Sequence, residues 1–190
     1  MNGEPPVGWI ALGVLVLLGL VYFFATYNGL VSLRNHLRES WADIDVQLKR
    51  RYDLIPNLVA TVKGYAKHER EIFEKIAELR SRCVANNGPV GSQGADEKRL
   101  IGALRGLLAV VERYPELKAD RQFLALQQEL ADTEDRIAAA RRFYNANVRD
   151  LNNKVETFPS SIVASMFDFR REDFWDVEEA THREAPAVLV

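Results

Sequence analysis

The chain has 190 residues, with 25 basic and 27 acidic side chains interspersed and a formal net charge of −2. It therefore lacks the basic footprint that a nucleic-acid partner requires, and its single cysteine, Cys83, excludes an internal disulfide and is compatible with a reducing compartment. Setting aside the apolar N-terminal segment leaves roughly 160 residues, the size of one ordinary domain with room for a real core.

No charged side chain lies between Glu4 and Arg34, and the stretch from Trp9 to Tyr27 is almost wholly apolar. About 20 helical residues cross a hydrocarbon core, and a lone span must be helical because lipid cannot satisfy its backbone. Eleven large apolar residues from Ile10 to Phe24 favour insertion by roughly 3 to 7 kcal/mol in total. Trp9 at one end and Tyr22 and Tyr27 at the other stand where interfacial aromatics belong. A cleavable signal peptide is the competing reading, but the segment ahead of the apolar run has no basic residue and no A-x-A site closes it. Arg34, Arg38 and the run Lys49, Arg50, Arg51 all follow the span, so the positive-inside rule predicts an outside N-terminus and a cytoplasmic domain.

From Leu30 the apolar positions Leu33, Leu37, Trp41, Ile44 and Leu48 advance by threes and fours, the stripe of a helix that continues the anchor. Asp53 is a candidate N-cap for a second helix, with Pro56 in its first turn and a seam of Leu58, Val62, Tyr65, Glu69, Ile72, Ile76, Leu79 and Cys83. The glycine-rich stretch from Asn86 to Ala95 reads as a loop, and Asp96 as the cap of a third helix with the stripe Leu100, Leu104, Leu107, Val111, Tyr114. Pro115 ends that helix. A fourth runs from about Asp120 and stops before Pro159, with Phe123, Leu126, Leu130, Thr133, Ile137, Ala140, Tyr144, Val148, Leu151, Val155 and Phe158 in step.

The predicted fold is therefore all-α: a single N-terminal transmembrane helix continuing into an elongated antiparallel four-helix bundle with coiled-coil-like packing. The third helix is much shorter than the fourth, so part of the fourth packs only on the first two or kinks. The expected divisions are a tail and anchor (1–28), the bundle (29–166) and an aromatic, acidic tail (167–190).

Ser40 to Glu69, SWADIDVQLKRRYDLIPNLVATVKGYAKHE, closely resembles the signature of the LemA family. Two further blocks agree, LLAVVERYPELKAD from Leu107 and TEDRIAAARRFYNANVRDLNNKVETFPSSIVASMF from Thr133. The resemblance covers Tyr27 to about Phe174 and departs in the loop after Asn86 and the tail after Trp175. It implies a bacterial inner-membrane protein with one N-terminal span, a helical bundle and no established enzymatic activity. It also implies association with an HtpX-type membrane metallopeptidase or TPM-domain proteins, and a relative serves in magnetosome membrane formation.

Chemistry is hard to find in the residues. His68-Glu69 opens like a zincin motif, but Ile72 stands where the second histidine is needed. Three scattered histidines and one cysteine offer no zinc-ligand spacing, GPVGSQG lacks the Lys-Ser/Thr pair of a phosphate loop, and no G-x-S-x-G occurs. No cofactor or metal is expected. Glu69 occupies a seam position where a buried carboxylate would need a partner, which Arg141, Arg142 or Arg149 could supply; alternatively, helical drift turns it to water. Asn145, Arg149 and Asn152 form a polar stripe that either fixes helix register or meets a partner. Lys49, Arg50 and Arg51 are too few and too far along the helix for lipid headgroups, and read as a turn face or partner contact. The segment FDFRREDFWDVEE, with Phe169, Phe174 and Trp175, has the look of a docking segment, folded back on the bundle or offered to a partner. These features point to a self-associating scaffold or adaptor at the bilayer that is not an enzyme. A membrane-shaping oligomer is the alternative of another class, and an enzyme built on the polar seam is a remote third.

Overall fold

The computed structural model describes residues 7–175. Among them there is no strand, and the elements are α1 (Val7–Tyr65), α2 (Arg70–Ala85), α3 (Val90–Val111), α4 (Pro115–Lys118), α5 (Arg121–Glu156) and α6 (Ser160–Met166). The protein is all-helical. The residues group into two compact units, one made of α1 up to Ala42 together with Phe143–Glu172, the other of Asp43–Arg142 and the chain from Asp173.

The first unit contains the apolar N-terminal helix. Its best 18-residue window has a mean hydropathy of 2.3 and none of it is buried against protein. Leu15 is 70% exposed and Leu18 63%, so this surface finds no cover within the chain. From Thr26 onward α1 acquires an inward face, with Leu30, Leu37 and Ser40 buried. Tyr144, Val148 and Leu151 of α5 and Val163 and Ala164 of α6 complete that core. Trp41 meets Tyr144 edge-on at 5.5 Å between ring centroids.

A short turn carrying a cis Phe158–Pro159 bond separates α5 from α6. Helix α6 ends in a Schellman arrangement: Asp168 adopts φ 55, and the Phe169 N–H donates to the Ala164 carbonyl at 3.0 Å. An aspartate tolerates that left-handed conformation better than most residues. The turn drops Phe169 into the unit's core beside Ala164, with Tyr27 at 6.2 Å and the Arg34 guanidinium 4.8 Å above its ring.

In the second unit the structure corrects the expected start of a helix at Asp53. Helix α1 does not stop there; it runs through Pro56 to Tyr65. Proline in a helix interior removes the N–H that would serve the carbonyl four residues earlier, here that of Tyr52. Arg80 of α2 replaces it, its Nε donating to the Tyr52 carbonyl at 2.6 Å. The break comes instead at Ala66–Glu69, and it shifts the phase of the expected seam. Leu58, Val62 and Ala66 are buried before the break and Phe73, Ile76, Leu79 and Cys83 after it, whereas Tyr65 is exposed.

The expected loop from Asn86 to Ala95 is also shorter than its glycines suggested. Asn86 organises it, accepting from the Gly88 N–H and donating to Ser92 Oγ and Asp96 Oδ2. Helix α3 then begins at Val90. Asp96 is accordingly not a cap but an interior residue, buried and paired with Arg82 at 2.9 Å and Arg99 at 3.3 Å. The stripe Leu100, Leu104, Leu107, Val111 is buried as expected, and α2 packs on α3. Pro115 opens α4 instead of merely ending α3. Asp120 caps α5, its Oδ1 accepting the Phe123 N–H at 2.8 Å.

Candidate functional site

The second unit carries a buried charged centre. Positions Ile44, Leu48, Arg51, Tyr52, Ile55 and Leu58 of α1 all face inward, so uninterrupted helical spacing puts a guanidinium in the core. Arg51 is 0% exposed and forms ion pairs with Glu97 of α3, itself 3% exposed, and with Glu134 of α5. The Glu134 contact is 2.8 Å long, and that carboxylate retains 37% of its side-chain exposure. Tyr52 donates its phenolic O–H to the other oxygen of Glu97. One cation thus bridges two carboxylates from two helices, the excess negative charge falling to the partly exposed Glu134, an arrangement that tolerates burial only while every partner stays in place.

Cys83 lies at the edge of this centre. Burial pushes its thiol up to about 11, against a smaller opposite pull from the Arg51 charge. It is an inert core thiol, because only the thiolate is nucleophilic.

A cleft of about 620 Å³ opens beside the centre. Leu48, Ile101, Leu104 and Ile137 form its apolar wall, Arg51, Glu97 and Glu134 its charged floor, and Arg141 and Trp175 also line it. Trp175 is 2% exposed, so an aromatic from the chain's own C-terminal segment is already part of the wall. Chemically the centre is closed: its charges are committed to one another, and among the described residues no cluster of three or more His, Cys, Asp or Glu could hold a metal ion.

The structure distributes the sequence candidates among several places. Arg141 and Trp175 meet at the cleft, while Phe174 beside them is 43% exposed and Arg142 is exposed. Glu69 pairs with neither Arg141, Arg142 nor Arg149. It lies in the α1–α2 turn, half-buried, and accepts from Arg113 Nη2 at 2.8 Å. With Arg113 63% exposed, this pair contributes about 0–1 kcal/mol.

In the first unit the polar stripe does not act together. Asn152 is buried and clamps the tail backbone, its amide donating to the Glu172 carbonyl and accepting the Glu172 N–H, both at 2.9 Å. Asn145 is half-buried and Arg149 exposed. Phe169, described above, is a core residue. Of the tail reading, Phe169, Glu172 and Trp175 are each held by the chain itself; the part beyond Trp175 lies outside the described residues.

Sequence reasoning missed the central residues, Arg51, Glu97 and Glu134. Arg51 was hidden in a basic run at an expected helix boundary. The available signal was the 3–4 spacing from Leu48 through Arg51 to Ile55, legible once α1 is not interrupted.

Comparison with known proteins places the chain among three relatives of similar extent. "Magnetosome protein MamQ 2" of Paramagnetospirillum magneticum (strain AMB-1) is 30% identical over 207 residues, covering 94% of this chain and 75% of the relative. "Magnetosome protein MamQ" of Magnetospirillum gryphiswaldense is 28% identical over 192 residues, covering 86% and 71%. "Protein LemA" of Metamycoplasma hominis is 29% identical over 157 residues, covering 81% and 71%. The LemA family profile matches residues 40–189, a span that takes in the buried charged centre, the Asn152 clamp and the tail, and the chain belongs to the LemA family.

Proposed function

We propose that this chain is a membrane-anchored, non-catalytic scaffold or adaptor. Its helices pack as an antiparallel four-helix bundle with coiled-coil-like contacts, its N-terminus lies outside the bacterial inner membrane and the bundle inside, and it self-associates. The observation that carries this reading is the uncovered surface of the N-terminal half of α1, which only lipid can cover without cost. The buried charges of the second unit support it, because Arg51 and Glu97, spent on each other, serve to fix helix register. The partners envisaged are an HtpX-type membrane metallopeptidase or a TPM-domain protein, as family resemblance suggests.

A second reading, a membrane-organising oligomer, is favoured by the 30% identity to a protein named for the magnetosome. Crosslinking in native membranes followed by mass spectrometry separates the two. An adaptor yields a defined second protein; an organiser yields chiefly itself and lipid. Recovery of the uncrosslinked chain from the soluble fraction contradicts both.

A further inference from the structure

Helix α6 presents an unusual surface for a seven-residue element. Ile162 and Met166, four residues apart on α6, are 52% and 63% exposed, Phe158 in the turn before the helix is 76% exposed, and Phe167 after it 43%. Large apolar side chains exposed on one short helix and its two flanking turns are not accounted for by folding of the first unit, whose core takes Val163 and Ala164 of α6.

The neighbours of Phe167 say what lies against this surface. Its ring is 4.6 Å from that of Tyr27 and 5.9 Å from that of Phe23, both on α1. Those residues close the apolar stretch that begins at Trp9. At 1.5 Å per residue, Trp9 to Tyr27 spans about 27 Å, close to a hydrocarbon thickness of about 30 Å. Phe23 and Tyr27 therefore stand at the level where acyl chains meet headgroups, and α6 is held at the same level. The charges agree with this depth. The Lys154 ammonium lies against Gly29, and Arg34 follows five residues further along α1. Cations at and just beyond the boundary match the phosphate layer.

We infer that α6 is a second membrane contact: Phe158, Ile162, Met166 and Phe167 enter the interfacial zone of the bilayer on the side where the anchor ends, in the manner of a short amphipathic in-plane helix. The occupant of this face is lipid, reached continuously from the lipid-facing surface of α1. This inference rests on the anchoring proposed above. It makes the first unit sit on the bilayer instead of swinging from a single helix.

The test uses the full-length chain with Cys83→Ala and single cysteines at Ile10, Ile162 or Ala131, each carrying an environment-sensitive fluorophore, in phosphatidylcholine–phosphatidylglycerol vesicles. Ala131 is an exposed position of α5 in the second unit. The expected result is a blue shift and loss of emission for the label at 162 with nitroxides near the acyl carboxyl, with protection from aqueous iodide. The label at 10 loses emission with nitroxides along the acyl chains, and the label at 131 with iodide alone. Iodide access at 162 equal to that at 131, with the label at 10 quenched by lipid, overturns the α6 contact and leaves the anchor standing. Shielding at 162 from iodide without quenching by lipid also overturns it, because protein then covers the face. Failure of every lipid nitroxide to quench the label at 10 overturns the anchoring itself.

Discussion

At the scale of single residues, stability rests on a few polar groups whose removal costs more than their presence contributes. Arg51→Ala leaves Glu97 buried beside Tyr52 with no cation, and should cost about 3–5 kcal/mol by denaturant unfolding in mild detergent. Arg51→Met combined with Glu97→Met removes the two buried charges and should cost less than the single Arg51→Ala, because the one ion left without its partner, Glu134, is partly exposed to water. If the double variant is the worse of the two, the ion pair contributes net stability and is not merely a register device. Cys83 offers a second check. Its folded-state pKa of about 11 lies above the usual thiol value, so the stability gained by keeping it neutral is complete below the unfolded pKa and disappears as pH rises through about 11. At pH 8 an aromatic disulfide reagent should label Cys83 only as fast as the unit unfolds. Rapid labelling of the native chain at that pH contradicts its burial.

At the scale of elements, the continuity of α1 depends on a contact made 28 residues away in sequence, Arg80 to the Tyr52 carbonyl. Arg80→Ala strands that carbonyl and should cost about 1–3 kcal/mol. In a Pro56→Ala background the new N–H at position 56 serves the carbonyl itself, so the same Arg80→Ala change should cost measurably less. Additive costs in this double-mutant cycle would show that Arg80 stabilises the unit by some other route. The same contact explains where sequence reading succeeded and failed. Helix α5 was legible from both ends, because its cap Asp120 and the stop before Pro159 are local signals; most of its expected stripe is buried, with Leu126, Ala140 and Val155 half-buried and Phe158, beyond the helix end, exposed. Helix α1 was cut short at Asp53 because a proline speaks locally while the arginine that accommodates it does not. Helix α3 was begun late because Asp96 resembles a cap, whereas its true role is to pair with Arg82 and Arg99. Of the candidate site residues, the tail aromatics Phe169 and Trp175 were flagged by composition. The Arg51 centre was not, since burial of a charge follows from long-range packing that no local pattern encodes. Misplacing the α1–α2 break by several residues also made Glu69 look like a seam residue.

At the scale of the whole molecule, the proposed orientation is argued from charge asymmetry about the apolar span. Glu4 is the only charged side chain ahead of it, while Arg34 and Arg38 follow within the distance over which basic residues bias insertion. Arg34 is partly occupied by the Phe169 ring, but a cation over an aromatic keeps its charge and still resists translocation. The prediction is a cytoplasmic location for everything after α1's apolar half. A cysteine at Ala95, exposed on α3, in a Cys83→Ala background reports it directly. In intact spheroplasts this thiol should resist a membrane-impermeant maleimide and react fully after lysis. Arg34→Glu together with Arg38→Glu removes the asymmetry, so labelling before lysis should then rise in a fraction of the molecules. Labelling of the Ala95→Cys chain without lysis, in the otherwise unchanged protein, reverses the orientation and places the Arg51 centre and its cleft on the outer side of the membrane.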